Sequence, residues 1–286
     1  MSFTGIFAIG VSSLTAFAKG IEAISGNVAN ADTTGYKRVR TDFEALLSTS
    51  RNSGGFVSAG SAGSGVAAAA RQLFSEQGSV TRNDQATHVA VAGAGWFIVS
   101  RSPQGASAGD LLYTRAGDFR PDANGDLVNS AGFYLQGTTS ASGTSLTAQG
   151  LQTVNLNRLP AGAEASSLGA LVSVEIGSDG GVEATYANGS VHRIYRIPLA
   201  LFTNEAGLAL ADRTAVRVTA QSGEAEIAAA GAGRAGAIEG AALEGSTVDI
   251  GTEFSSLIAT QRAYATGARI LRTADELWRT LVSTAA

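Results

Sequence analysis

The chain holds two histidines, His88 and His192, and no cysteine. Thiol nucleophiles, disulfides and thiolate–zinc centres are therefore excluded, and with only two imidazoles a zinc site is nearly excluded. His88 opens the alternating run His88-Val89-Ala90-Val91 and His192 stands beside Arg193; both read as structural or solvated side chains. Asp122-Ala123-Asn124-Gly125-Asp126 has the spacing that begins a calcium loop. The sixth and twelfth positions of such a loop need Gly and Glu, and here they are Leu127 and Phe133. A tight hairpin around Asn124-Gly125 explains the same letters. Gly231-Ala232-Gly233-Arg234-Ala235-Gly236 fits the dinucleotide pattern G-x-G-x-x-G, but that pattern needs a buried strand before it and a helix after it. The approach here is Ala228-Ala229-Ala230, and at this glycine content the letters arise by chance in roughly every second chain of this length. No G-x-S-x-G or Walker-A sequence is present, and no carboxylate pair stands out for glycoside chemistry. The expectation is a protein with no catalytic residue, no cofactor and no metal: not an enzyme.

Composition narrows the class further. Of 286 residues 44% are hydrophobic and only 15% charged, against a usual ~25%. The 36 glycines are about twice the ordinary share. That apolar content suffices for a core, so a disordered tail protein is excluded. A net charge of −4 without a basic block gives no footprint for nucleic acid. No unbroken apolar run approaches the ~18 residues of a spanning helix, so no membrane insertion is expected. The start, Met1 to Phe17, lacks a basic n-region, and its apolar pattern continues to Val28; it reads as mature structure rather than a cleaved signal.

The elements that would position functional residues divide sharply by period. Near the N-terminus Phe7, Leu14, Ile21 and Val28 recur every seven residues, with Phe3, Gly10, Phe17, Ile24 and Ala31 as a second row. This is a heptad seam in which Gly10 is the weakest member. It ends at Thr33-Thr34-Gly35, where Gly suits a left-handed cap. At the C-terminus Ile250, Leu257, Tyr264, Leu271 and Trp278 repeat the pattern, interleaved with Phe254, Gln261, Ala268, Asp275 and Val282. Ser246 or Thr247 reads as the N-cap of this helix. Residues 1–45 and 245–286 each balance four basic against four acidic groups, so such ends pack on their own kind without self-repulsion.

Between them the period changes to two. Short alternating runs at Val80, His88–Val91, Trp96–Val99, Leu112–Thr114, Asp126–Val128 and Phe133–Leu135 are separated by glycine-bearing turns. Further strands are expected at Val172–Ile176, Val182–Tyr186, Ile194–Phe202 and Ala215–Thr219, with tight turns at Asp179-Gly180 and Asn188-Gly189. Residues 138–170 carry no clear pattern. The predicted class is α+β: long terminal helices forming a coiled-coil inner domain around a β-rich, β-hairpin or barrel-like centre. The boundaries are 1–45 plus 245–286 for the helical domain, 46–72 for a Gly/Ser/Ala-rich arm or linker, and 73–244 for the β-rich outer domain.

Three segments then resemble a known family. Ile24 to Lys37, with Asn27, Asn30, Thr34, Gly35, Tyr36 and Lys37, is similar to the N-terminal signature of bacterial flagellar axial proteins, the rod and hook family. Gly93 to Phe97, Tyr113 to Phe119, Asp122 to Gly125 and Gly132 to Gly137 resemble its β-domain. Leu243 to Asp249, Gln261-Arg262-Ala263-Tyr264 and Thr273 to Glu276 resemble its C-terminal signature. Gly26 stands where a second Asn is common, and Thr247 where Asn usually follows Ser. The resemblance implies terminal helices that line a tube, a β-domain outside them, and a helical homo-polymer of many copies. It also implies rod, hook and junction proteins as partners, export by the flagellar type III apparatus, and a place in the basal body or hook outside the cytoplasm. Residues 187–208 are more similar to hook than to distal rod members, which implies a torque-transmitting hook subunit. Residues 138–170 leave little room for the extra outer domain of many hook proteins, and the short length is closer to a rod subunit. In the unassembled chain the termini are expected to be disordered, so proteolysis trims before about residue 40 and after about 245. The competing class is a secreted β-rich adhesin that folds as a monomer with its helices in place.

Overall fold

The computed structural model describes residues 3–46, 65–104, 110–139, 150–158 and 168–285. They fall into two compact units. The helical unit comprises Met1–Ala31, Arg38–Leu73 and Val248–Ala286; the β-unit comprises Asp32–Lys37 and Phe74–Thr247. The chain therefore crosses between them after residues 31, 37, 73 and 247.

Helix α1 (Phe3–Ala29) and helix α2 (Ile250–Ala285) pack antiparallel, and small residues set their approach. A Cβ on Gly10 would lie 2.4 Å from Leu271 Cδ2, and one on Gly267 3.2 Å from Leu14 Cδ2. Gly10 is thus a point of close contact, where the heptad pattern alone makes it a weak member. The helix stops at Ala29, because the Asn30 amide is shared between the Gly26 and Asn27 carbonyls at 3.2 and 3.0 Å, the loosening typical of a last turn. Gly35 is left-handed, as expected (φ +67°), but it lies beyond the helix and does not cap it. Asp249, rather than Ser246 or Thr247, caps α2: its Oδ1 accepts from the Thr252 amide at 2.6 Å, which holds its carboxyl below the usual range. Phe7–Ala29 has a mean hydropathy of 1.3 and is long and apolar enough by composition to cross a membrane. A count of unbroken apolar runs overlooks this, since isolated Ser, Thr, Lys and Gly break the runs while the Ile, Val, Leu, Phe and Ala between them hold the average up.

Strand β1 (Val39–Leu46) pairs antiparallel with β2 (Gly65–Gln72), Val39 opposite Gln72 and Leu46 opposite Gly65. The helical domain expected over 1–45 therefore ends in a strand, and the C-terminal part of the arm or linker expected over 46–72 is a strand as well. Backbone pairing satisfies the polar groups of Val66-Ala67-Ala68-Ala69-Ala70, a stretch whose composition carries no strand signal. Residues 47–64 lie outside the described residues.

The β-unit is built on one large antiparallel sheet. Its strands include β5 (Trp96–Ser100), β6 (Leu112–Thr114), β9 (Tyr134–Gly137) and β14 (Pro198–Leu201). β5 is buried on both faces, so its residues sort by period two into two cores. Phe97 and Val99 enter one, and Trp96 and Ile98 the other. Edge-to-face pairs, Phe97 with Phe119 at 5.8 Å and Tyr113 with Phe202 at 5.0 Å, fix the packing of each. A three-stranded meander, β11 (Leu171–Ile176), β12 (Gly181–Tyr186) and β13 (Val191–Arg196), turns at the two predicted glycines, Gly180 and Gly189, both at positive φ. The strand expected over Ile194–Phe202 is two strands in two sheets: the chain breaks at Ile197, ahead of Pro198, which has no amide to continue β13. Within 138–170, β10 (Gln152–Thr153) pairs with β9, and residues 140–149 and 159–167 lie outside the described residues.

The three motifs weighed for chemistry are turns or packing. Asp122 Oδ1 accepts from the Asn124 and Asp126 amides, closing the hairpin between β7 (Arg120–Pro121) and β8 (Leu127–Val128). The glycine triplet joins β17 (Glu226–Ala229) to β18 (Ala237–Gly240), with the Gly231 amide on the Gly236 carbonyl. His88 is buried ahead of β4 (Val89–Ala92), and neither ring nitrogen has a hydrogen-bond partner among the described residues. His192 lies edge-on to Tyr186.

Candidate anchoring and assembly site

The N-terminal signature becomes intelligible through what each residue holds. In the helical unit, buried Asn27 acts as a one-residue strand partner: its Nδ2 donates to the Val39 carbonyl and its Oδ1 accepts from the Val39 amide, both at 2.8 Å. It thereby fixes where β1 begins. Asn30 Nδ2 returns to the Gly26 carbonyl at 2.8 Å and closes the last turn of α1. Arg38 Nε lies 2.7 Å from Glu253 Oε1, a buried carboxylate one turn into α2.

In the β-unit, Gly35 donates its amide to the Glu244 carbonyl at 2.8 Å. A Cβ there would lie 2.5 Å from the Ala116 nitrogen, so only glycine permits both the positive φ and this approach. Thr34 lies half-buried just before it. The Tyr36 carbonyl accepts from the Thr247 amide at 3.1 Å.

Lys37 completes a buried ion triad. Its Nζ lies 2.6 Å from Glu244 Oε1, while Arg115 Nη1 reaches Glu244 Oε2 at 3.0 Å; all three side chains are almost fully buried. Lys37 also donates to the Glu76 carbonyl, Arg115 to the Gly93 carbonyl at 2.9 Å, and the Gly78 amide to Glu244 Oε1 at 3.0 Å. The Arg115 guanidinium stacks over Trp96, 5.4 Å from the ring centroid. Burial outweighs the attraction of Glu244 and draws the Lys37 ammonium below its ordinary value. Nothing in the triad is placed to react. It joins the end of the N-terminal signature to the start of the C-terminal one through a shared carboxylate.

The seam residues divide. Phe7, Leu14, Phe17, Ile21, Ile24 and Val28 are half-buried on α1, with Phe17 against Phe43 of β1 at 5.8 Å. On α2, Leu257 and Leu271 are half-buried, but Ile250, Phe254, Tyr264 and Trp278 are largely exposed. The second row on the inward face of α2 is Glu253, Thr260, Gly267 and Ala274, one residue before the row of Phe254, Gln261 and Ala268 that hydrophobicity selects. Gln261 and Arg262 are exposed. Arg115 and Glu244 fall inside the segments that resemble the family, but nothing in the sequence pairs them with Lys37; Glu253 and Gly267 carry this architecture without a family motif to mark them. A glutamate in a turn-rich stretch shows its importance only when it meets a lysine 207 residues earlier.

The chain thus has paired terminal helices, a β-rich centre and a carboxylate, that of Glu244, shared by Lys37 and Arg115, and the comparisons give its family. Three family models match: "Flagella basal body rod protein" over residues 7–37, "Flagellar hook protein FlgE/F/G D1 domain" over 90–184, and "Flagellar basal body rod FlgEFG protein C-terminal" over 239–284. The flagellar basal-body rod protein FlgG of Caulobacter vibrioides is 30% identical over 270 residues, 90% of this chain and 90% of that protein. That of Agrobacterium fabrum is 30% identical over 280 residues, 94% of this chain and 95% of that one. The flagellar hook protein FlgE of Brucella abortus is 41% identical over 172 residues, 59% of this chain, and the match spans 40% of that protein's length. The chain belongs to the flagellar hook and basal-body rod protein family, a family of structural proteins.

Proposed function

We propose that the chain is a structural subunit of the flagellar hook, polymerising helically into the tube that carries torque from rod to filament. One observation carries this. Among the described residues the helical unit has only Ala16 and Ala274 as fully buried apolar side chains, while half-exposed apolar residues line α2. A two-helix unit with so thin an interior gains its burial from neighbours. Each large apolar side chain so covered contributes roughly 1.5–3 kcal/mol, offset by ordering. On this reading α1 and α2 form the coiled-coil wall, the β-unit lies outside it, and the chain leaves the cell through the type III apparatus with rod, hook and junction proteins as partners.

Hook relatives at 38–41% identity support the first reading. A distal or proximal rod subunit is the second, favoured by end-to-end matches to rod proteins. Deleting the coding sequence and imaging isolated basal bodies separates them: a complete rod without a hook is expected, and a truncated rod would move the protein into the rod. Leu257→Asp is expected to block polymerisation while leaving the β-unit folded. Normal hooks or rods from that variant would remove the helices from the assembly.

A further inference from the structure

A second group of polar side chains in the β-unit takes no part in the fastenings described above. Asp126, Gln152, Thr153, Asn155, Arg158 and Tyr195 line an open cavity of about 460 Å³, the size of a small-molecule site. Thr153 and Tyr195 are buried and form its floor, Tyr195 being only 2% exposed; Gln152 and Arg158 are exposed and form its rim. Neighbours hold most of the polar groups in place. Asn155 Nδ2 donates to Asp126 Oδ1 at 2.7 Å and to the Asn124 carbonyl at 3.0 Å, while its Oδ1 accepts from the Asn157 amide at 2.8 Å. Asn155 is thereby fully occupied, and the second oxygen of Asp126 stays available as an acceptor. Gln136 Nε2 donates to Thr153 Oγ1 at 3.0 Å, which leaves the Thr153 hydroxyl proton to donate. Arg158 Nη1 donates to Gln152 Oε1 at 2.7 Å, so the Gln152 amide protons and the rest of the guanidinium remain as donors. The Tyr195 hydroxyl has no hydrogen-bond partner among the described residues, although the side chain is buried.

We infer that this cavity binds a neutral pyranose sugar carrying an acetamido group. Its lining holds one cation and one anion, Arg158 and Asp126, so the charges cancel and a neutral ligand is favoured. Donors prevail among the remaining groups, which calls for a ligand rich in acceptors. An acetamido carbonyl takes the protons of Arg158 and Gln152 at the rim. Ring hydroxyls both accept from Thr153 and Tyr195 on the floor and donate to Asp126, a dual role that few other neutral ligands fill. An apolar ligand would bury these groups unpaired and bind poorly. Because Asp126, Thr153, Gln152 and Arg158 are already oriented by hydrogen bonds, little side-chain freedom is lost on binding. The site requires only a folded β-unit and stands apart from the polymer reading above.

The test is titration of the full-length chain with diacetylchitobiose, read by saturation-transfer NMR, with cellobiose and digalacturonic acid as controls. Diacetylchitobiose is expected to bind about tenfold more tightly than cellobiose, which has the hydroxyls without the acetamido carbonyl. Digalacturonic acid, which carries negative charge, is expected to bind no better than cellobiose. Arg158→Ala should weaken diacetylchitobiose about tenfold and Tyr195→Phe about fivefold. Arg158 is exposed and Tyr195→Phe removes a single oxygen, so both variants are expected to keep the wild-type urea midpoint. No saturation transfer to diacetylchitobiose at millimolar concentration would overturn the inference. So would equal binding of cellobiose, tighter binding of digalacturonic acid, or wild-type affinity in both folded variants.

Discussion

Glu244 accepts from Lys37, Arg115 and the Gly78 amide while fully buried, so its charge is the term that keeps two cations tolerable in the interior of the β-unit. Glu244→Gln preserves shape but leaves both cations without a counter-charge. It is expected to destabilise the β-unit by about 3–5 kcal/mol, measured by urea unfolding with Trp96 fluorescence as reporter. His88 makes an opposite kind of statement. Burial and then the charge of Arg120 hold its imidazole below the ordinary value, with Asp118 opposing. The folded chain therefore keeps it neutral where the unfolded chain, at about 6.5, begins to take a proton. Stability is complete above about 6.5 and falls as the pH drops toward the folded value. His88→Phe should flatten that part of the urea-midpoint profile between about pH 7.5 and 5; an unchanged slope would assign it to other groups.

At the scale of elements, the helix pair is set by what is missing from side chains. Gly10 meets Leu271, and Gly267 meets Leu14, so the backbones approach where a heptad pattern leads one to expect a gap. Gly10→Ala is expected to destabilise the helical unit by about 1–3 kcal/mol through overpacking, and Leu271→Ala in the same chain to recover part of that, as thermal unfolding by circular dichroism would show. The two helices, the hairpin turns at Gly125, Gly180 and Gly189 and most central strands were legible, because period and turn chemistry are local properties. The inward row of α2 was not. Thr260, Gly267 and Ala274 are selected by a partner helix that comes close, whereas Phe254 and Ile258 follow the hydrophobic pattern and point outward. The β1–β2 hairpin was hidden because its alanines take their stability from pairing rather than from propensity. The signature residues, Glu244 among them, could be located by resemblance, but that Glu244 is the shared partner of Lys37 and Arg115 emerges only in three dimensions.

For the molecule as a whole, stability is unevenly shared. Nearly all fully buried apolar side chains among the described residues belong to the β-unit. Brief proteolysis of unassembled chain should therefore cut the terminal helices first and leave a fragment close to 74–247, and polymer should protect the helices; mass spectrometry of the products decides it. Equal resistance along the whole chain would favour a free-standing monomer such as an adhesin. The four crossings between units have a mechanical consequence. Each has a fastening close by: Asn27 and Gly35 around the first, Lys37 and Arg38 on either side of the second, the Leu73 amide on the Arg38 carbonyl at the third, and Glu244 with Asp249 at the fourth. A pull on the helices can pass along the backbone to the β-unit only through these four crossings, each held within a few residues inside its own unit, so loosening one fastening leaves the other three in place.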